Sequence, residues 1–214
     1  MAPELPVMQP RPDIDAVRAD AIACTRCRLA TSRTQVVWAK GNLAGDLLFV
    51  GEAPGFHEDQ QGLPFVGAAG QLLDRLLDEV GISKQRAAVV NVLKCRPPNN
   101  RDPLPDEIEA CRPWLETQLG FMQPRVIVTL GNFATKFILA TDIGITKARG
   151  QRYERHGAVV IPTFHPAAAL RGGRFGGMSC TDALRGDLQA AKEILDSLPP
   201  RVAGDVEMEQ LGLF

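Results

Sequence analysis

Apolar positions along the chain alternate between short continuous runs and longer stretches with a helical repeat. Five runs are typical of strands, and they lie at 47–50, 88–93, 125–130, 151–155 and 158–162. Five stretches with helical spacing predict helices at 13–23, 68–80, 105–120, 133–139 and 181–198. Because strands alternate with helices, the pattern favours a layered α/β sandwich and leaves the order of the strands open.

Several local signals refine these boundaries. Asp13 is placed to act as the N-cap of the first helix, and His156 with Gly157 predicts a hairpin turn between the last two strands. The last helix has one apolar stripe that we expect to face the core, at Leu184, Leu188, Ala191, Ile194, Leu195 and Leu198. The polar segment 56–62 predicts a loop, and four glycines within 171–179 predict a mobile one.

Composition predicts one folded domain with extensions at both ends. We expect a flexible leader at 1–12, a single domain at 13–199 and a disordered, acidic tail at 200–214. The 214 residues are 45% apolar and 23% charged, and no apolar run approaches the roughly 20 residues of a membrane span. The proline-rich start is unlike a signal peptide, so we expect a cytoplasmic monomer without a membrane partner.

Charge gives no global argument for nucleic acid, because the net charge is −1. Many arginines and lysines nevertheless fall in predicted loops, while many acids fall in helices and in the tail. A basic face on a neutral protein is compatible with this distribution, and so are scattered solvated charges.

The stretch at 51–67, GEAPGFHEDQQGLPFVG, joins the end of the first long strand to the following helix. Ligands bind at such strand ends in α/β sheets, and glycines let the backbone approach a ligand closely. Glu52 and Glu58 can polarise water, and Phe65 offers a flat face for stacking. On spacing alone, a tight structural turn remains an equal alternative.

Two further polar residues end predicted strands. Asn91 has a planar amide with one acceptor and two donors, and His165 follows the last strand in the segment FHPAAALR. Taken alone, each has an ordinary structural alternative: an asparagine in a turn and a packed core histidine.

Four cysteines form a candidate metal site. Cys24 and Cys27 form a CxxC pair after a predicted helix, a position that favours metal over a thioredoxin-like redox site. Cys95 and Cys111 supply two more thiolates, so zinc and a [4Fe-4S] cluster are both possible. One CxxC pair with two widely spaced cysteines is less usual for zinc. We interpret Cys180 as an ordinary free thiol.

These motifs together resemble the family-4 uracil-DNA glycosylases, the iron–sulfur branch. The run GEAPGFHEDQQGLPFVGAAGQLLD resembles the first family signature, and FHPAAALR resembles the second. The CxxC pair, the segment CRPP and a cysteine on the following helix match the cluster ligands. The resemblance extends over 24–198.

The resemblance implies a fold and a reaction. It implies a three-layer α/β/α sandwich with a central, mostly parallel sheet. It also implies base excision repair, in which the N-glycosidic bond of deoxyuridine in single- or double-stranded DNA is hydrolysed to free uracil and an abasic site. It assigns a structural [4Fe-4S] cluster to Cys24, Cys27, Cys95 and Cys111.

Site roles follow from the same resemblance. Glu52 holds or polarises the attacking water, Asn91 pairs with the uracil edge, and His165 stabilises the departing anion. Phe65 stacks on the base, backbone amides near Ala53 bind its carbonyl, and Glu58 shapes the pocket near uracil C5. The expected DNA contacts are Lys94, Arg96, Arg101, the apolar wedge Leu170 and Arg171.

The last residues resemble a bacterial sliding-clamp-binding peptide, with Gln210, Leu211, Leu213 and Phe214 in the matching positions and Gly212 departing from the preferred residue. An alternative is that these apolar residues fold back onto the domain. Two alternatives to a uracil glycosylase are a non-enzymatic DNA-binding module with a metal site and a glycosylase of different base choice. A covalent relative with a histidine in an inserted loop is excluded, because the loop after Asn91 contains none.

Overall fold

A six-stranded sheet forms the centre of the computed structural model, which describes residues 13–199. Its strands are β1 (Lys40–Gly41), β2 (Leu47–Gly51), β3 (Ala87–Asn91), β4 (Val126–Leu130), β5 (Tyr153–Arg155) and β6 (Ala158–Thr163). Their order is β1-β3-β2-β4-β6-β5. The four inner strands run parallel, whereas β1 and β5 pair antiparallel at the two edges. The mostly parallel sheet is therefore confirmed.

Eight α-helices and a small second sheet surround these strands in the described part of the chain. The helices are α1 (Ile14–Ile22), α2 (Phe56–Gln61), α3 (Ala68–Val80), α4 (Pro105–Met122), α5 (Asn132–Leu139), α6 (Ile145–Ala148), α7 (Pro166–Leu170) and α8 (Cys180–Ser197). The second sheet is a hairpin of β7 (Arg174–Phe175) and β8 (Met178–Ser179).

Alternate residues of the buried strands face opposite helical layers. Leu47 and Phe49 of β2 pack in one apolar cluster with leucines of α3 and α8. Leu48 and Val50 pack in another cluster with residues of α4 and α5. This alternation follows from the two-residue repeat of a strand, and it confirms the three-layer α/β/α sandwich. The predicted stripe of α8 faces the first cluster, as expected.

The predicted boundaries agree with the structure at the first helix and at the turn between β5 and β6. Asp13 caps α1 by accepting hydrogen bonds from the amides of Asp15 and Ala16. His156 and Gly157 have φ values of 54° and 71°, so the turn between β5 and β6 is the predicted tight hairpin.

Two loop predictions are wrong. The segment predicted as a loop at 56–62 contains α2, which begins after Gly55 and ends at Gly62 with a φ of 70°. The glycine-rich segment at 171–179 contains the β7–β8 hairpin, because Gly176 and Gly177 adopt the positive φ that its turn requires. In both segments glycine ends or turns a regular element.

The predicted leader at 1–12 and tail at 200–214, including the proposed clamp peptide, lie outside the described residues. Among residues 13–199, no helix combines the length and the apolar character that crossing a membrane requires.

Candidate active site and cysteine cluster

Residues from both sequence signatures meet at the carboxyl edge of the parallel strands. Gly51, the last residue of β2, pairs in register with Asn91, the last residue of β3. On the other side of β2, β4 ends next to Gly131, and β6 leads into His165. This edge is where α/β sheets bind ligands.

Gly51 lies beneath the side chains of Asn91 and Phe65. A Cβ atom on Gly51 would lie 2.3 Å from Asn91 Oδ1 and 2.7 Å from the Phe65 ring. Neither distance is tolerable, so the site requires glycine here for space. The asparagine amide and the aromatic ring therefore both reach over the same backbone position.

Asn91 is 2% exposed, and its Oδ1 atom has no hydrogen-bond partner among the described residues. A buried amide oxygen without a donor costs free energy, and such groups in folded proteins call for an explanation. The Lys94 Nζ atom donates to the backbone oxygen of the same residue at 2.7 Å, which fixes the strand end. A ligand N–H group is the kind of donor that this acceptor lacks.

Phe65 has a left-handed φ of 55°, which is unusual for an aromatic residue. Glu58 holds this loop, because its Oε1 atom accepts from the amides of Val66 at 3.0 Å and Gly67 at 2.8 Å. The Phe65 ring lies 5.7 Å from the His165 ring, centroid to centroid. Strained backbone held by surrounding bonds is typical of ligand sites.

His165 is held as a neutral imidazole. Its Nδ1 atom accepts from the Ala167 amide at 3.1 Å, so the ring proton lies on Nε2. Burial and, to a smaller extent, the positive charge of Arg171 together lower the pKa of His165 to about 4, with Glu58 acting in the opposite direction. The side chain therefore offers one N–H donor at neutral pH.

Glu52 follows β2 directly and is partly buried. Burial, aided by the negative charge of Asp102, raises the pKa of Glu52 to about 7. A carboxyl group with this pKa exchanges protons readily near neutral pH, as a general base must.

Cys24, Cys27, Cys95 and Cys111 line one cavity. Arg33 donates to Cys95 Sγ at 3.5 Å, and the Lys94 amide donates to Cys111 Sγ at 3.2 Å. Within residues 13–199, no group of three or more histidine, cysteine or acidic side chains is arranged to hold a single metal ion. Four thiol side chains around one cavity, with hydrogen-bond donors at two of the sulfurs, are a donor set that suits a metal group.

Some of the predicted DNA contacts are exposed to solvent, and others are bound to groups within the protein. The prediction that Lys94 contacts a phosphate is wrong: it is 2% exposed, and its amine is bound by Asn91 and Gln118. Arg101 forms a bidentate ion pair with Glu107. Arg171 is exposed, and Leu170 is 48% exposed.

Arg96 occupies a different surface of the site. Its guanidinium lies over the exposed ring of Phe56, 5.2 Å from the centroid, and donates to Asn100 Oδ1 at 2.7 Å. Arg96 is thus positioned by an aromatic ring of α2 next to the pocket.

Sequence reasoning missed two contributors to the site, Gly51 and Arg33, and gave a third, Lys94, another role. Gly51 supplies space, Lys94 supports Asn91, and Arg33 donates to a cysteine sulfur. The signal for Gly51 was present, since glycine ends an otherwise apolar strand. The partners of Lys94 and Arg33 are set by the tertiary fold, and no local pattern indicates them.

Comparisons with known proteins show which family this chain is similar to. The family model for the uracil DNA glycosylase superfamily matches residues 38–185. A type-4 uracil-DNA glycosylase of Thermotoga maritima is 49% identical over 150 residues, which cover 69% of this chain and 78% of the relative. One from Sulfurisphaera tokodaii is 44% identical, covering 73% and 76%. One from Saccharolobus solfataricus is 39% identical, covering 87% and 88%.

Proposed function

The chain belongs to the uracil DNA glycosylase superfamily and, within it, to the type-4 enzymes, and from that premise we propose how its residues act. It is a DNA repair hydrolase that excises uracil from DNA. The observation on which the assignment of roles rests is the buried, unpartnered Oδ1 atom of Asn91.

Asn91 is the residue that recognises the base. A uridine extruded from the stack would enter at the carboxyl edge of the sheet and stack on Phe65. The Asn91 Oδ1 atom accepts from uracil N3–H, and its amide nitrogen donates to O4. Cytosine presents an acceptor at N3 and a donor at N4, so the same amide would face two mismatched groups.

His165 stabilises the leaving group. As the bond between C1′ and N1 breaks, its electron pair passes to uracil, and negative charge develops on O2. The neutral imidazole donates its Nε2–H to that oxygen, while backbone amides near Ala53 contribute to the same electrostatic stabilisation. A neutral donor suits this role, because it holds the anion without first losing a proton to it.

Glu52 directs water to the sugar. In its deprotonated form it orients the water, offsets the positive charge that develops at C1′ and accepts the proton when the new C–O bond forms. Glu58 binds the amides of Val66 and Gly67 and so holds the loop that carries Phe65. Its second proposed role is to limit the space beside uracil C5.

The four cysteines hold a [4Fe-4S] cluster in this proposal. A single zinc ion would draw its four sulfurs to within about 3.8 Å of one another, whereas a cluster places each thiolate on a separate iron. The shared cavity supports a metal group held by all four cysteines, and the resemblance of their motifs to the iron–sulfur branch favours the cluster. The cluster supplies a structural link between the CxxC segment and the loop that begins at Lys94, and no redox step is required.

Arg96 and Arg171 are the proposed phosphate contacts, and Leu170 is the proposed wedge at the gap left by the extruded base. Exposure of Arg171 and Leu170 supports these roles. Arg101 is better explained as the partner of Glu107, given its two hydrogen bonds to that carboxylate.

The final residues are a proposed sliding-clamp peptide, with Gln210, Leu211, Leu213 and Phe214 as its contacts. Association with a purified bacterial clamp, measured by fluorescence anisotropy of a peptide spanning 205–214, tests this proposal. Loss of binding in a peptide carrying Leu213→Ala and Phe214→Ala is expected, and absence of binding by the unchanged peptide would refute it.

One experiment tests the enzymatic assignment and the cluster together. Protein purified without oxygen is incubated with a labelled strand containing one uracil, and its visible absorption and iron content are measured. We expect brown protein with about four irons per chain that releases uracil, and an Asn91→Ala variant that keeps the colour but releases little. Colourless, zinc-loaded protein would refute the cluster, and brown wild-type protein that leaves uracil in place would refute the assignment of roles.

A further inference from the structure

Exposed apolar side chains are concentrated beside the active site. Six large hydrophobic side chains are exposed among residues 13–199, and three of them, Leu170, Phe175 and Met178, lie within nine consecutive residues. Large exposed apolar groups that cluster in this way usually mark an interaction surface. Leu170 has a proposed role as the wedge, and the other two have none.

Phe175 and Met178 belong to the β7–β8 hairpin and present one surface. They are directly paired across its two strands, so their side chains lie on the same face. The turn between them consists of Gly176 and Gly177, and Arg174 donates to the backbone oxygen of Gly177 at 2.5 Å. The hairpin tip is thus ordered by its own bonds, and its apolar pair remains exposed.

The hairpin is fixed to the helix that follows His165. The Gly173 amide donates to the Ala168 oxygen of α7 at 2.9 Å, and the Cys180 amide donates back to the Gly173 oxygen at 2.8 Å. The Phe175 ring also meets the Phe164 ring edge-on at 5.8 Å. Because Phe164 directly precedes His165, the hairpin has a defined position relative to the pocket.

The charge of this segment suits a polyanion. Residues 164–180 contain Arg171 and Arg174 and no aspartate or glutamate. Both arginines are exposed. Apolar side chains flanked by arginines are the means by which many proteins hold a distorted minor groove.

We propose that the β7–β8 hairpin is a second contact with duplex DNA and meets the strand opposite the extruded uridine. The proposal rests on the proposed function, because it takes the pocket at His165 as the place of the uracil. Chain order leads from His165 in the pocket to Leu170 at its rim and then to the hairpin. α7 offers little bulk besides Leu170, since its middle residues are three alanines. Phe175 and Met178 add apolar area beyond the rim, where the complementary strand lies.

The test compares uracil release from single-stranded and duplex DNA by variants of the hairpin. Met178→Ser and Arg174→Glu are the variants of choice, because Phe175 also packs on Phe164 and its loss would disturb His165. We expect each variant to raise KM for duplex DNA roughly tenfold and to leave release from single strands unchanged.

Arg155→Glu is a matched charge-reversal control. Arg155 is exposed and pairs with Ala158, the first residue of β6, so it lies at the opposite end of that strand from His165. The KM of the Arg155→Glu variant for duplex DNA should stay within twofold of the unchanged protein's value, which corresponds to about 0.4 kcal/mol.

The outcomes separate the two proposals. If the hairpin variants lose uracil release equally on single-stranded and duplex DNA, or lose it on neither, the proposed hairpin contact is wrong. The proposed function as a uracil glycosylase is not affected by either result. If the unchanged protein releases uracil from neither substrate, the proposed function fails, and the hairpin contact fails with it. A selective duplex defect in Met178→Ser and Arg174→Glu, with Arg155→Glu unaffected, supports the contact.

Discussion

The Lys94 amine lies 2.7 Å from the backbone oxygen of Asn91, and this bond connects the cysteine cavity to the residue proposed to recognise uracil. The Lys94 backbone amide donates to Cys111, and Cys95 follows directly in the chain. A side chain expected at the DNA surface is therefore an internal support of the pocket.

Replacing Lys94 by methionine should lower both stability and catalysis. The change leaves the buried Gln118 and Asn91 oxygens without this donor, so we expect a loss of about 2 kcal/mol in the free energy of unfolding. Urea denaturation measures this loss, and steady-state kinetics should show a lower kcat.

Gln118→Met is the matched control for that prediction. It removes the second partner of the Lys94 amine and leaves the Asn91 bond in place. We expect a similar loss of stability with kcat near that of the unchanged protein. Equal kcat values for the two variants would show that the bond to Asn91 does not position the base.

Gly51→Ala should reduce uracil release by about 100-fold while the protein still folds. The added methyl group would lie 2.3 Å from Asn91 Oδ1, so the amide must move away from the uracil edge. Single-turnover kinetics on a uracil strand measure the effect. A rate within threefold of the unchanged protein would contradict the proposed geometry.

The pH dependence of uracil release should have one acid limb with a midpoint near 7. Glu52 acts in its deprotonated form, so the rate rises as the pH increases through its pKa of about 7. At pH 6 we expect roughly a tenfold lower rate than on the plateau. His165 adds no second limb between pH 5 and 9, since its pKa of about 4 keeps it neutral there.

Asp102→Asn checks the origin of that limb. The negative charge of Asp102 raises the pKa of Glu52, so its removal should move the midpoint to lower pH without changing the plateau rate. A profile that stays in place would show that another group controls the limb.

Arg101→Met should destabilise the fold without a selective effect on DNA. The Glu107 side chain is fully buried, and Arg101 binds both of its oxygens, at 2.6 and 2.9 Å. Removing this partner of the Glu107 carboxylate should lower the free energy of unfolding, which urea denaturation at neutral pH will measure. The pair lowers the pKa of Glu107, so its contribution is present at neutral pH and is lost as the solution becomes acidic.

Arg96→Met provides the comparison for DNA binding. It should raise KM and weaken the salt dependence of binding, with little change in the free energy of unfolding. If Arg101→Met alters the salt dependence as strongly, Arg101 contacts phosphate after all.

Sequence patterns predicted the elements whose signals are local. The helix expected at 68–80 has those bounds, Asp13 caps α1, and the turn at His156 and Gly157 joins two strands. Asn91 lies near the end of the predicted strand at 88–93, and His165 follows the predicted strand at 158–162. In each case one physical cause acts within a few residues.

Other features depend on partners distant in sequence. Lys94 lies in a segment whose composition is typical of an exposed basic loop. Its amine is nevertheless bound by the side chain of Gln118 in α4 and by the backbone oxygen of Asn91 at the end of β3. The left-handed φ of Phe65 is maintained by Glu58, seven residues earlier. The β7–β8 hairpin was hidden by glycines that also indicate an irregular loop.

Both edge strands of the six-stranded sheet are poor partners for a further strand. β1 is only two residues long and ends at Gly41 with a φ of 94°, and β5 is three residues long and includes Glu154 and Arg155. Short, charged or distorted margins offer little continuous backbone for another chain to pair with. The four apolar parallel strands are thereby shielded from the edge-to-edge aggregation to which such a sheet would otherwise be prone.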